Sequence, residues 1–450
     1  MWILPARLFA HVLQKSFVKK RKKLNTKNFN IVIHNIFGEG IVLETRWDGI
    51  ESRVKFRSGL CLWLPTKWLK PLQIEERELD RVSSRRLIEA FRLGVVPHQD
   101  IEYFTFGRAY EVDLFQKALN NLKNGCGGVF LIEGEYGAGK THLAEYLHHL
   151  SLKQGFATAY CELHIQETPP YRPKKIYHEI VYSLRYIKDG CEKGFRDLLH
   201  EATKLDIRDH CFFTPVLKKI KDMEDNDLHS EVFYQWIEGE STKEYATDPE
   251  SPYRVRGGQR IPALYDFSTA ADFYNYILSG LSYIANRLGL GGLVLIIDEF
   301  EEINHIWEYN LQEKGMQFLE GLVRIALNDE SLKKIDNSML HNQVRPTPYA
   351  YKETYILLML ATTPEEDQRI TRFIKNRVII RRFSRAEFEL IFDELLRVYK
   401  TAYPDFVIEE EKAINILNSA YKKYNGELRR FIKYSVEAFD LVRFARPSTP

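Results

Sequence analysis

Cysteine is scarce and scattered. The 450-residue chain has five (Cys61, Cys126, Cys161, Cys191 and Cys211), an odd number with no CxxC pair. That spacing excludes a disulfide framework and a cysteine-based zinc site, and it fits a reducing compartment. Long apolar runs are also missing. No stretch reaches the roughly 18 residues that a membrane helix needs. The first thirteen residues are apolar but contain Pro5, Arg7 and His11, and the basic residues follow the apolar stretch. A signal peptide has the opposite order. The expectation is a cytoplasmic protein with no membrane partner. Net charge is only +2, so bulk charge does not mark a nucleic-acid binder. There is no internal repeat and no low-complexity tract. Hydrophobic residues make up 44% and charged residues 28%, an ordinary globular balance that suits two or three domains.

The charge is unevenly distributed. Eight basic residues (Arg7, Lys15, Lys19, Lys20, Arg21, Lys22, Lys23 and Lys27) precede the first acid, Glu39. Residues 1–29 read as a basic arm, either solvated or in contact with phosphates. Residues 30–72 read as a small β-rich domain. Short alternating runs such as Ser52–Phe56 are separated by turns at Phe37-Gly38-Glu39-Gly40, Trp47-Asp48-Gly49 and Ser58-Gly59. Strands at this spacing suggest a small barrel. Trp47, Phe56, Trp63 and Trp68 read as its core, with a recognition surface as the other reading. His34 and His98 read as structural.

Beyond residue 73 the pattern changes. Arg85–Leu93 is a helical stretch stopped by Gly94. Gly128–Glu133 has a buried-strand pattern, and Leu293–Ile297 and Tyr355–Leu360 are unbroken apolar runs, the signature of strands buried on both faces. Helices lie between them, so the fold class is α/β with a parallel central sheet. The stretch Glu238–Arg260 is rich in Gly, Pro, Ser and charges and reads as loop. From Ser384 onward the chain reads as helical.

Between one strand and the helix after it lies Gly134-Glu135-Tyr136-Gly137-Ala138-Gly139-Lys140-Thr141. Glycines let the backbone wrap tightly, so that several N–H groups point at the phosphates of a nucleotide. Lys140 adds positive charge, and the Thr141 hydroxyl can complete magnesium coordination. Asp298 ends an apolar strand, where a carboxylate can hold Mg2+, and Glu299 can polarise the attacking water. Glu301 and Glu302 read as a solvated first helical turn. Thr362-Thr363 follows another strand and could meet the γ-phosphate or the water. Gly426-Glu427-Leu428-Arg429 opens a C-terminal helix from which Arg429 could reach the phosphates. The expected ligands are ATP and Mg2+.

These residues carry a resemblance. Leu131–Leu147 and the box Gly107-Arg108-Ala109-Tyr110-Glu111 look like AAA+ ATPases of the origin-recognition type. Arg86–His98, Ile132–Leu143 and Pro169–Tyr177 are similar to the BrxD-like ATP-binding proteins of BREX anti-phage defence systems. The Phe37–Gly40 turn resembles Tudor-like barrels attached to some bacterial helicases and transcription factors.

The resemblance implies an AAA+ core over 73–383, with a long insertion at about 165–265, and a helical lid over 384–450. It implies nucleotide contacts from Val96, Arg108 and the loop through His142. It implies first and second sensors at Thr362 and Arg429, and an arginine finger among Arg369, Arg372 and Arg377, with Arg377 favoured. It further implies self-association, double-stranded DNA as a partner, and a defence-system helicase or other subunit beside it. Origin-type ATPases carry a winged helix after the lid, for which this sequence has no counterpart. DNA contact is therefore expected from the arm, the barrel, the insertion or a partner. A nucleotide-dependent scaffold with little turnover is the other reading, which the intact Asp298-Glu299 pair disfavours.

Overall fold

The computed structural model describes residues 31–34, 36–47, 50–56, 60–71, 79–95, 101–105, 107–223, 230–240, 261–266, 270–334, 347–364, 370–371 and 374–445. The basic arm, Val96, His98, Arg369 and Arg372 lie outside them. The chain divides after Glu76 into two compact units.

The first unit is an antiparallel sheet of β1 (Ile31–His34), β2 (Gly38–Arg46), β3 (Glu51–Phe56), β4 (Cys61–Pro65) and β5 (Leu69–Pro71), in the order β4-β3-β2-β1-β5. Among the described residues these strands form a small antiparallel sheet, and no ladder joins its two edges. Val32, Val54, Phe56, Leu64 and Leu69 form its small core. Gly40 is required there, because a Cβ would overlap the Val54 side chain. The core reading holds for Phe56 but fails for Trp47 and Trp68, which are 62% and 53% exposed. Trp47 sits at a turn with φ of 52°, which turns it off the pleat, and the Arg46 guanidinium lies 4.3 Å from both the Trp47 and Trp63 rings. His34 is structural: its Nδ1 accepts the Ile36 N–H at 3.2 Å and closes a turn.

In the second unit α1 (Arg81–Leu93) is capped by Asp80, which accepts the Ser83 N–H, and is stopped by Gly94 at φ 71°. Then come α2 (Ala109–Lys123), β6 (Gly128–Gly134), α3 (Lys140–Lys153) and β7 (Ala157–Glu162). An excursion of α4 (Pro173–Ser183), β8 (Arg185–Lys188), β9 (Cys191–Gly194), α5 (Phe195–Ala202), α6 (Phe213–Asp222) and α7 (Ser230–Ile237) separates β7 from α8 (Ala271–Arg287) and β10 (Leu293–Asp298). The chain continues through α9 (Tyr309–Ala326), β11 (Ile356–Thr362), β12 (Asn376–Ile380), α10 (Arg385–Ala402), α11 (Glu410–Tyr424) and α12 (Leu428–Phe444).

The sheet order is β12-β6-β11-β10-β7-β8-β9, parallel from β12 to β7 and antiparallel beyond. Both faces are buried. Phe130, Ile132, Val294, Ile296, Leu357 and Met359 pack under α2 and α3. Their strand neighbours Val129, Leu131, Leu295, Ile297, Leu358 and Leu360 pack under α8, α9 and the excursion helices. Alternation along a strand sends successive side chains to opposite layers, which explains why these runs lack polar residues. A third core joins α1 to α10, α11 and α12 through Leu87, Ile88, Phe91, Phe392, Ala420, Phe431 and Phe439. The helical layer is thus built from both ends of the unit.

In the excursion core, the His210 ring lies against Tyr276, Phe213 and Tyr351, with its Nδ1 accepting the N–H groups of Phe212 and Phe213. A Cβ on Gly280, in the middle of α8, would overlap that ring. Gly280→Ala is therefore expected to lower stability. Helix propensity favours Ala by about 1 kcal/mol, but overpacking costs about 1–3 kcal/mol. An unchanged or raised unfolding midpoint in denaturant would contradict this packing. Burial pushes the His210 imidazole down to about 3 from an ordinary 6.5. The unfolded chain then binds a proton between those values that the folded chain refuses. This share of the stability is complete above about pH 6.5 and is lost as pH falls toward 3. His210→Asn keeps an acceptor for the two N–H groups and should flatten the slope of unfolding free energy between pH 7 and 5.5. An identical slope in both proteins would count against a buried neutral imidazole.

Candidate functional site

The parallel strands end along one edge, and the glycine-rich loop follows β6 there. Gly137 and Gly139 take φ of 78° and 92°, a region costly for other residues. The Ala138 N–H donates to Glu135 O at 3.0 Å, and Gly139 caps α3 so that Lys140 opens it. The loop therefore delivers a helix N-terminus to the sheet edge, where free N–H groups and the helix dipole favour an anion.

Lys140 is buried. Its Nζ donates to Gly134 O at 3.0 Å and lies 3.8 Å from Glu301 Oε1. Glu301 is 4% exposed, and its Oε2 has no partner. The solvated reading of Glu301 is thus corrected: the 3-10 turn Phe300–His305 carries it inward, where Lys140 is its counter-ion. Thr141 is half-buried beside Lys140.

Asp298 ends β10 on the sheet face that α3 covers and is fully buried. Its Oδ1 accepts the Glu299 N–H at 2.9 Å and its Oδ2 accepts the Tyr160 hydroxyl at 2.7 Å. Burial, reinforced by Asp298, pushes the Tyr160 phenol far above its ordinary value, so it stays a donor. Glu299 has a left-handed φ of 53°, uncommon outside glycine and a frequent mark of functional strain. Burial, then Glu301 and Asp298, push its carboxyl up to about 7. β11 lies between the loop strand β6 and the Asp298 strand β10, so the three strand ends converge. Thr362 ends β11 with its Oγ1 donating to Thr363 O at 3.2 Å. Strand alternation carries Thr362 to the face opposite Asp298, and Thr363 follows the strand's end.

The helical layer closes over the loop. Arg108, at the start of α2, is buried. It donates to Ala138 O at 2.6 Å and stacks 4.6 Å from the Phe383 ring. With Phe104, Gly139, His142, Ile391 and Leu428 these two line a mostly apolar pocket beside the loop. His142 Nε2 meets Thr105 Oγ1 at 3.0 Å. Burial, with Arg108 and Arg429 nearby, lowers the imidazole to about 4, so it is neutral at pH 7. Arg429 lies in the first turn of α12, with its charge felt at both His142 and Glu162. A Cβ on Gly137 would stand 3.3 Å from Gly426 O, so loop and α12 turn are nearly in contact. Exposed Arg382 pairs with loop residue Glu135 at 2.6 Å, while Tyr136 is 82% exposed.

Arg377 stands apart from this group. It is on β12, on the face away from α3, in a bidentate pair with Glu133 of its own chain. Acting on a neighbour would require it to leave that pair. Sequence reasoning missed Tyr160, Glu301, Arg382 and Phe383. Tyr160 and Glu162 sit two apart on β7, and Glu162 is in register with Asp298, but nothing local marks either as a site residue.

The residues fit a nucleotide phosphate and its magnesium. Gly137 and Gly139 take backbone angles that bring the loop round to the start of α3, Lys140 is buried beside it, and among the described residues each Asp298 oxygen accepts from one protein donor, which leaves it a second lone pair. The class this defines is a parallel α/β domain with a phosphate-cradling loop. Residues 79–203 match the family model described as BREX system ATP-binding protein BrxC/D. No curated protein matches the sequence. Among solved structures the chain is similar to one described as Drosophila ORC bound to DNA, at 11% identity and a TM-score of 0.35, covering 84% of this chain and 65% of that one. It is also similar to C. elegans PCH-2, at 11% identity and a TM-score of 0.33, covering 78% and 74%. Among the described residues no helix is long and apolar enough to cross a membrane.

Arg377→Ala leaves the buried Glu133 carboxylate without its partner. The expected loss of unfolding free energy is about 1–3 kcal/mol, with part of it recovered by Glu133→Gln. A fully stable Arg377→Ala protein would instead point to a role outside the fold.

Proposed function

We propose that this chain is an AAA+ ATPase that hydrolyses ATP and uses the cycle to regulate a DNA-associated anti-phage defence complex. The observation that carries the hydrolytic part is the convergence of Lys140, buried Asp298 and Glu299 beyond the ends of β6 and β10, the two neighbours of β11. The match of residues 79–203 to the BrxC/D description supports the defence setting. The reading of residues 30–72 as an SH3-like barrel rests on five short antiparallel strands around one small core. Residues 384–450 with α1 act as the lid.

Magnesium, held by Thr141 and Asp298, would neutralise charge on the β- and γ-phosphates. Lys140 exchanges Gly134 O and Glu301 for the phosphates. Glu299 orients and polarises water, and its raised carboxyl suits a base working near neutral pH. Thr363, just past the end of β11, holds the water, and the Thr362 hydroxyl braces it through Thr363 O. Arg108 and His142 bound the pocket for the rest of the nucleotide. Arg429 brings charge from the lid, and a second copy supplies a further arginine at the subunit interface. Double-stranded DNA and a helicase-type subunit are the proposed partners.

Lys140 held between Gly134 O and Glu301 also favours a second reading, a nucleotide-gated scaffold with slow turnover. One experiment separates the two: ATP hydrolysis by the purified chain, alone and with double- or single-stranded DNA. The ATPase reading expects turnover stimulated by DNA and cut about 10²-fold or more by Glu299→Gln, with nucleotide binding intact. Turnover indifferent to Glu299→Gln would overturn the assignment of the base. Binding without turnover in every condition would favour the scaffold.

A further inference from the structure

Asp298 is a carboxylate with no exposed surface, and an ion in such a place needs donors or it is expelled. One donor, the Glu299 N–H, comes from the next residue. The other comes from a different strand. Tyr160 on β7 is in register with Ile296, two positions before the Asp298–Glu162 pair. In-register residues of neighbouring parallel strands share a face, so Tyr160 and Asp298 both stand on the side covered by α3. Two residues of strand span roughly 6.6 Å. A phenol reaches about that far from its Cα; a serine, threonine or asparagine does not. Tyr160 itself is held on two sides. Its N–H donates to Ser183 Oγ of α4 at 3.0 Å, and its ring meets His148 of α3 edge-on at 6.3 Å. The helix that carries Lys140 and Thr141 therefore packs on the same ring that holds Asp298.

We propose that Tyr160 is a positioning residue for the cation site: its hydroxyl fixes the Asp298 carboxylate in one orientation before the cation arrives. The proposal rests on the reading of Asp298 given above. A carboxylate offers about four acceptor positions. Tyr160 and Glu299 take one on each oxygen, leaving one on each for the ion or its water. Removing the hydroxyl leaves buried Oδ2 without a donor and frees the carboxylate to turn. Losses of this kind cost about 10–100-fold in metal affinity in other sites.

The test is a magnesium titration of the full-length chain with a fluorescent ATP analogue, followed by binding and not by turnover, with a chelator baseline. The variants are Tyr160→Phe, which keeps the ring, Asp298→Asn, and the pair together. Ser183→Ala removes the other hydrogen bond to Tyr160 and spares the phenol. Tyr160→Phe should keep the chelator-baseline affinity within about twofold and raise the magnesium half-saturation about tenfold or more. Asp298→Asn should abolish the magnesium dependence, Tyr160→Phe should add nothing in that background, and Ser183→Ala should leave half-saturation unchanged. A wild-type half-saturation in Tyr160→Phe, with Asp298→Asn affected, sinks the inference and spares the reading of Asp298. Magnesium dependence intact in Asp298→Asn sinks both. Equal losses with and without magnesium, or a shift in Ser183→Ala as large as in Tyr160→Phe, mean that the strand and not the hydroxyl is responsible.

Discussion

Charge has to be buried at one edge of a sheet that is apolar on both faces, and the rest of the second unit is arranged around that requirement. Inside β6, β10 and β11 every side chain enters one of two packed layers. Polar groups appear only where the strands end. There Lys140, Asp298 and Glu301 are nearly inaccessible, a costly arrangement unless each finds a partner. Lys140 has Gly134 O and Glu301, and Asp298 has Tyr160 and the Glu299 N–H. The backbone carries part of the cost too, since Glu299 adopts a left-handed conformation, and its N–H donates back to Asp298. A buried cation and several acids so close together are poorly balanced by the protein alone, as the raised Glu299 and Glu162 carboxyls indicate. On the proposed reading, a cation beside these acids and an anion at the helix N-terminus would restore that balance.

The helical layer adds a second constraint. α1 precedes the sheet and α10 to α12 follow it, yet they share one core, and Arg92 ties α1 to Asp440 of α12. Any movement of the C-terminal helices relative to the loop must carry α1 along. Their contacts with the loop are few and polar or small: Gly426 against Gly137, Arg382 with exposed Glu135, Arg108 between Ala138 O and the Phe383 ring. Exposed ion pairs are worth little. The layer's own core is apolar, while its ion pair to the loop is exposed.

What was legible in the sequence follows from how local its cause is. The loop is written in eight consecutive residues, because the φ values of Gly137 and Gly139 and the start of α3 are local matters. The strands were legible because burial on both faces leaves unbroken apolar runs. The exposed aromatics of the first unit were not, since a sequence gives no sign that Trp47 sits at a turn where its ring leaves the pleat. Glu301 was misread because acids in a first turn are usually solvated; only the direction of the 3-10 turn sends it toward Lys140. The hairpin β8–β9 is short and charged, and it extends the sheet through pairing partners that lie outside its own segment.

Tyr160 is the clearest case of a residue that no local pattern reveals. Within β7 it is one aromatic in a run of small and apolar residues, and core packing would be the ordinary reading. Its meaning comes from β10, which meets β7 only because more than a hundred residues of excursion fold back between them. Once that register is set, the length of a phenol and the two-residue offset decide the contact. The insertion so prominent in the sequence does not separate the site residues. By extending the sheet beyond β7 and covering its far face, it keeps β7 a buried interior strand. On an edge strand open to water, the Tyr160 hydroxyl would have solvent as an alternative partner and Asp298 would lose a dedicated donor.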